Sequence, residues 1–126
     1  MKIAITTAAP DLDAELDPRF GRGAYFLFID TETMEWQAVP NPGVSARGGA
    51  GIQAAGLITA QKVAAVISGE FGPNAFRALQ EAGVTMYQFN TCRTAREAFE
   101  RFKAGELTQV GGSTRSDSHP AGQAAP

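Results

Sequence analysis

The sequence holds one cysteine, Cys92, one histidine, His119, and one tryptophan among 126 residues. One thiol excludes a disulfide within the chain, and one thiol with one imidazole excludes a zinc site built from several such ligands. Among nucleophile constellations, a Ser-His-Asp set fails because the only imidazole lies in a polar C-terminal stretch. Long apolar runs are also missing: nothing approaches the roughly 20 residues that span a bilayer. The opening Met1-Lys2-Ile3-Ala4-Ile5 reads into a strand without the apolar core of a signal peptide, so the expected location is the cytoplasm. Eleven basic against 13 acidic side chains give a net charge of −2. No global field draws the chain onto nucleic acid or an anionic membrane, so neither is an expected partner and any anion site must be local. Lysine is scarce, three against eight arginines, and arginine's planar fork suits oxyanions and large soft anions.

What remains is a composition that folds. Hydrophobic residues make up 44% and charged residues 19%, enough apolar surface for one compact α/β domain, expected over residues 1–110. From Gly111 onward no large apolar residue occurs, so residues 111–126 are expected to form a flexible tail. Strands are predicted at 2–6, 25–30, 35–39, 63–67 and 84–87, the second and third joined as an antiparallel hairpin. The Ala/Leu/Ile-rich segment from Ile52 reads as a helix apolar nearly all round and therefore buried. A second helix begins at Pro73, with Phe76, Leu79, Ala75 and Ala82 on its inner face and Gly83 as its stop. The third is the plainest: Thr94-Ala95-Arg96-Glu97 is a capping box, Ala95, Ala98, Phe99 and Phe102 form one stripe, and Gly105 ends it. The order β-β-β-α-β-α-β-α fits a mixed five-stranded sheet covered by helices.

Three segments carry chemistry. Gly49-Ala50-Gly51-Ile52-Gln53-Ala54 satisfies the loose dinucleotide fingerprint, and Glu70 lies near the distance of a ribose-binding acid. The context is wrong for a dinucleotide, because that fingerprint follows a strand directly and residues 42–48 intervene here. The physics survives: glycines at a helix N-terminus let backbone N–H groups approach an anion closely. Gly72-Pro73-Asn74-Ala75 supplies a second helix N-terminus, after the carboxyl end of an apolar strand, where α/β sheets gather ligands. Asp17-Pro18-Arg19-Phe20-Gly21-Arg22 adds two guanidinium groups and a ring in one loop, apt for a bulky anion with a soft surface. Cys92 precedes the third helix, where the helix dipole favours thiolate, and is the one candidate metal ligand. Metal-dependent nuclease chemistry is disfavoured because Ile3-Ala4-Ile5-Thr6 carries no carboxylate.

Arg19-Phe20-Gly21-Arg22, Asn41-Pro42-Gly43, Gly48-Gly49-Ala50-Gly51-Ile52-Gln53-Ala54-Ala55 and Gly72-Pro73-Asn74-Ala75-Phe76, in that order, resemble the dinitrogenase iron-molybdenum cofactor biosynthesis family in its short stand-alone form. The resemblance spans residues 1 to about 110. It implies a ribonuclease-H-like three-layer fold with helices on both faces of the sheet. It also implies noncovalent binding, storage or delivery of an anionic molybdenum-containing metal-sulfur cluster, of the Mo-Cu sulfide or Mo-Fe sulfide type, without catalysis by this chain. A cluster donor or acceptor protein is then an expected partner. The cofactor-binding residues would be Arg19, Phe20, Gly21 and Arg22, Gly49, Ala50, Gly51, Ile52 and Gln53, and Gly72, Pro73, Asn74 and Ala75. The same glycine-rich turns also fit a small phosphate- or nucleotide-binding regulatory domain. A purely structural interaction module is the third reading, for which the sequence offers no distinct patch.

Overall fold

In the computed structural model, residues 1–111 are described; of the tail expected over 111–126 all but Gly111 lies outside them, His119 included. Strand β1 (Lys2–Thr7) sits at the centre of the sheet, antiparallel to β2 (Tyr25–Asp30) on one side and parallel to β4 (Ala65–Ser68) on the other. Beyond β2 lies β3 (Trp36–Pro40), and beyond β4 lie β5 (Thr85–Gln88) and β6 (Thr108–Gln109), giving the order β3-β2-β1-β4-β5-β6. The sheet therefore has six strands rather than the expected five. The sixth is a two-residue antiparallel edge whose residues are both exposed, so it has no apolar pattern to betray it. Pro40 ends β3 at the free edge of the sheet, where a missing N–H costs no ladder bond.

Alternation along the strands sorts two cores. Ala4, Phe26, Phe28, Val66 and Met86 face α1 (Ala50–Ala60) and α2 (Pro73–Glu81). Ile3, Ile5, Leu27, Ile29 and Ile67 face α3 (Ala95–Lys103) on the other side. Helices thus cover both faces, as expected. Helix α1 departs from expectation: only Ala54, Ala55 and Ile58 are buried, and Ile52 is 48% exposed. Small alanines let α1 approach the sheet along one stripe, with Leu57 half-buried beside it and Ile52 left at the surface. Ala82 is likewise exposed, at the C-terminal cap of α2. Gly83 and Gly105 take the left-handed conformation expected just past a helix end, with φ of 79° and 76°.

The cap of α3 is nearly the one the sequence encodes. The Thr94 hydroxyl accepts from the Glu97 N–H at 3.2 Å, while the Glu97 carboxylate reaches back to the N–H of Arg93, one residue before the cap. Among the described residues no helix is long and apolar enough to cross a membrane.

Candidate anion-binding cleft

The chain leaves β1 into a long loop that crosses the carboxyl end of the sheet. Leu12 and Leu16 pack on the α3 side and Phe20 on the α1 and α2 side. Its second half is stitched to the segment after β4: Gly69 and Glu70 both donate to the Pro18 carbonyl, and Phe20 N–H donates to the Glu70 carbonyl. Gly69 has to be glycine here, because a Cβ would stand 2.6 Å from Pro18 Cα. The turn after β3, a 3₁₀ helix over Pro42–Ser45, lies against the same loop. These connections meet at the end of β1 and β4, where the chain path turns outward in opposite directions across the sheet. Open α/β sheets carry their ligand crevice at that point.

A cleft of about 360 Å³ opens there, lined by residues 19–22, 49–52 and 72–75 together with Glu70. Twelve of the thirteen expected binding residues are brought together: Arg19, Phe20, Gly21, Arg22, Gly49, Ala50, Gly51, Ile52, Gly72, Pro73, Asn74 and Ala75. Gln53 is exposed and outside the lining, its N–H already committed to the Gly49 carbonyl. Glu70, read in the sequence only as a failed ribose ligand, is on the wall instead.

Both α1 and α2 point their N-termini into this cleft, and neither has a side-chain cap. The cap residues are Gly49, at φ 68°, and Gly72. Helix α3, whose start is elsewhere, is capped on both sides of its first turn. An uncapped start leaves backbone N–H groups available and the positive end of the helix dipole unneutralised, a ready-made anion site.

The two guanidinium groups are pre-positioned. Arg19 is held by the mostly buried Asp17 carboxylate through Nε and Nη2, both at 3.1 Å, and that hydrogen bonding and charge raise its already high pKa. Arg22 Nη1 donates to the carbonyls of Gly43, Val44 and Ala46 at 3.1–3.4 Å. Arg19 Nη1 and Arg22 Nε and Nη2 carry no hydrogen bond among the described residues. Phe20 differs from expectation: its ring is 1% exposed and packs 5.3 Å from each of Phe26 and Phe71. It anchors the arginine loop in the core and does not turn an aromatic face to the cleft.

Cys92 is not brought to this cleft. It is buried beside Ala95, Ala98 and Phe99 in the core on the α3 face, and burial, followed by the charge of Glu97, pushes its thiol pKa up. Desolvation disfavours the charged thiolate, against the expectation drawn from its place before α3. Among the described residues no cluster of three or more His, Cys, Asp or Glu side chains is arranged to hold a metal ion.

The family model described as dinitrogenase iron-molybdenum cofactor matches residues 1–105. The chain is similar to the apo form of the orange protein from Desulfovibrio gigas, with a TM-score of 0.86 and 37% identity over 90% of this chain and 96% of that one. It is similar also to a Thermotoga protein of the DUF35 family named after NifB, with a TM-score of 0.80 and 32% identity over 92% and 98% of the two chains. An uncharacterized protein of Methanocaldococcus jannaschii is 30% identical over 110 residues, 85% of this chain and 89% of that one.

Proposed function

The chain belongs to the dinitrogenase iron-molybdenum cofactor family, and on that premise we propose that it carries an anionic molybdenum-containing metal-sulfur cluster, held noncovalently in the cleft between α1, α2 and the arginine loop. The observation that carries this reading is the convergence of two uncapped helix N-termini and two anchored guanidinium groups on one opening. Such a cluster is a polyanion whose metals are already ligated by sulfide. It needs N–H donors and positive charge around it more than it needs protein thiolates. The Mo-Cu and Mo-Fe sulfide types both fit that description.

The role is that of a carrier, storing the cluster or passing it between a donor and an acceptor protein in the cytoplasm, and not of an enzyme. The likeness to the orange protein and to the protein named after NifB supports it. The order β3-β2-β1-β4-β5, with α1 and α2 on one face and α3 on the other, supports the ribonuclease-H-like fold name.

The same two helix starts favour a phosphate or nucleotide as the second reading. The test is anaerobic incubation of the purified protein with tetrathiomolybdate and either cuprous or ferrous ion, followed by desalting. Coloured protein that retains molybdenum and sulfide supports the carrier. Colourless protein that binds nucleotides saturably in calorimetry replaces it with the phosphate reading.

A further inference from the structure

We propose that Asn41 is a positioning residue that locks the arginine loop to the start of α1, so that the two sides of the cleft present their charges and donors as one surface. The inference rests on the carrier reading for its ligand, but on the fold for its geometry.

Asn41 is 4% exposed and uses its amide in both directions. Nδ2 donates to the Phe20 carbonyl at 3.1 Å, and Oδ1 accepts from the Gly43 N–H at 2.8 Å. Its backbone N–H donates to the Ala24 carbonyl and its carbonyl accepts from the Val44 N–H, so the residue is fixed from both sides. The bond to Phe20 falls in the middle of the segment bearing Arg19 and Arg22. The bond to Gly43 shapes the turn whose carbonyls hold Arg22 Nη1. Behind that turn, Gly43 fits against the backbone of Gly21 and Ala50: a Cβ there would run into the Gly21 carbonyl oxygen and stand 2.8 Å from that of Ala50. Asn41 therefore ties together Arg22, the loop that carries it, and the first residue of α1, although it does not itself line the cleft.

The chemistry is specific to asparagine. One side chain must donate at one end and accept at the other, which a carboxylate cannot do and which a glutamine reaches only with another methylene to accommodate. Asn41→Asp separates the two halves. It keeps the acceptor for Gly43, and aspartate caps a helix start as well as asparagine does. It loses the donor to Phe20 and sets a second oxygen against that carbonyl. Asn41→Ala removes both bonds.

The experiment compares these two variants with the wild type in full-length protein, under conditions where all are folded by circular dichroism. Two readouts are taken: affinity for tetrathiomolybdate with cuprous ion, and amide hydrogen exchange. The proposal predicts that Asn41→Asp binds the probe at least about tenfold more weakly, the equivalent of one lost charge-assisted hydrogen bond. It also predicts faster exchange in residues 19–22 and 49–52, with α3 unchanged. Affinity of folded Asn41→Asp within about twofold of wild type, whatever its stability, overturns the proposal. If wild-type protein takes up no probe, the carrier reading falls separately and exchange alone decides the clamp: faster exchange confined to those two segments upholds it, and unchanged or uniformly faster exchange overturns it.

Discussion

Gly51 in the first turn of α1 faces Ala75 in the first turn of α2 so closely that a Cβ at position 51 would lie 3.0 Å from the Cβ of Ala75. The absence of a side chain there brings two helix N-termini side by side. Their dipoles point the same partial charge at one cleft, an arrangement that is unfavourable by itself and relieved by an anion. Neither helix start carries the Ser, Thr, Asp or Asn that would cap it, and with glycine in that place the fold forgoes roughly a few tenths of a kcal/mol at each end. Stability given up at a site of this shape is the usual mark of a binding role.

Replacing that missing cap tests the trade directly. Gly72 sits at φ −69° and ψ 166°, a conformation any side chain adopts. Gly72→Asp should therefore cap α2 and raise stability by a few tenths of a kcal/mol. The same carboxylate occupies the donors and repels an anion, so retention of tetrathiomolybdate with cuprous ion should fall at least about tenfold. Thermal unfolding and a desalting assay read both; undiminished retention would take the α2 terminus out of the site.

The arginines should matter together. Arg19→Ala with Arg22→Ala removes two pre-positioned forks, each worth about 1.5–3 kcal/mol when bonded to a charged group, so cluster affinity should fall by more than about tenfold. Arg101→Ala with Lys103→Ala, in the last turn of α3, removes the same two charges away from the cleft; it should leave affinity unchanged and serves as the control for net charge. Equal losses in both variants would mean that only overall charge is being read.

Cys92 should prove inert. Burial and the neighbouring Glu97 disfavour its thiolate, so alkylation of the folded protein near neutral pH should be slow and should accelerate on unfolding. Cys92→Ala should retain cluster as wild type does. Loss of metal in that variant, with the fold intact, would make the thiol a ligand.

Much of this arrangement is legible in the sequence. The three segments that meet in the cleft are marked by glycine, arginine and proline, and, Glu70 apart, the residues that line it can be named from their chemistry together with the family resemblance. What could not be read has a physical reason in each case. The ring of Phe20 looks like a ligand-facing aromatic in a polar loop, but Phe71 lies far from it in sequence and only the fold encloses the ring between Phe71 and Phe26. The apolar composition of α1 suggests full burial, yet its alanines let one narrow stripe suffice. Strand β6, with two exposed polar residues, has no signal beyond its backbone pairing to β5. Asn41 stands inside a recognisable Asn-Pro-Gly run, and its bond with Gly43 is local, but its other bond reaches Phe20, 21 positions away.

Acid should weaken the fold through identifiable carboxyls. The N–H groups of Glu32 and Thr33 bond to Asp30, and Arg96 pairs with Asp13; these hold both carboxyls below their ordinary value of 3.8. A carboxyl depressed by folding contributes stability that is complete above its unfolded pKa and is lost as pH falls through its folded one. Asp30→Asn should thus be less stable than wild type near neutral pH, with the gap closing as pH falls below 3.8. Urea midpoints at about pH 7 and about pH 3 measure it; a gap that stays constant would contradict the assignment.

The account as a whole turns on cargo. The most direct measurement is anaerobic isolation of the protein from cells supplied with molybdate, iron and copper, followed by its absorption spectrum and its molybdenum, copper, iron and sulfide content per chain. Visible charge-transfer bands with stoichiometric molybdenum and sulfide are predicted, and the ratio of the partner metal identifies the cluster. A colourless protein free of molybdenum, which also fails to take up tetrathiomolybdate with either metal, would contradict it.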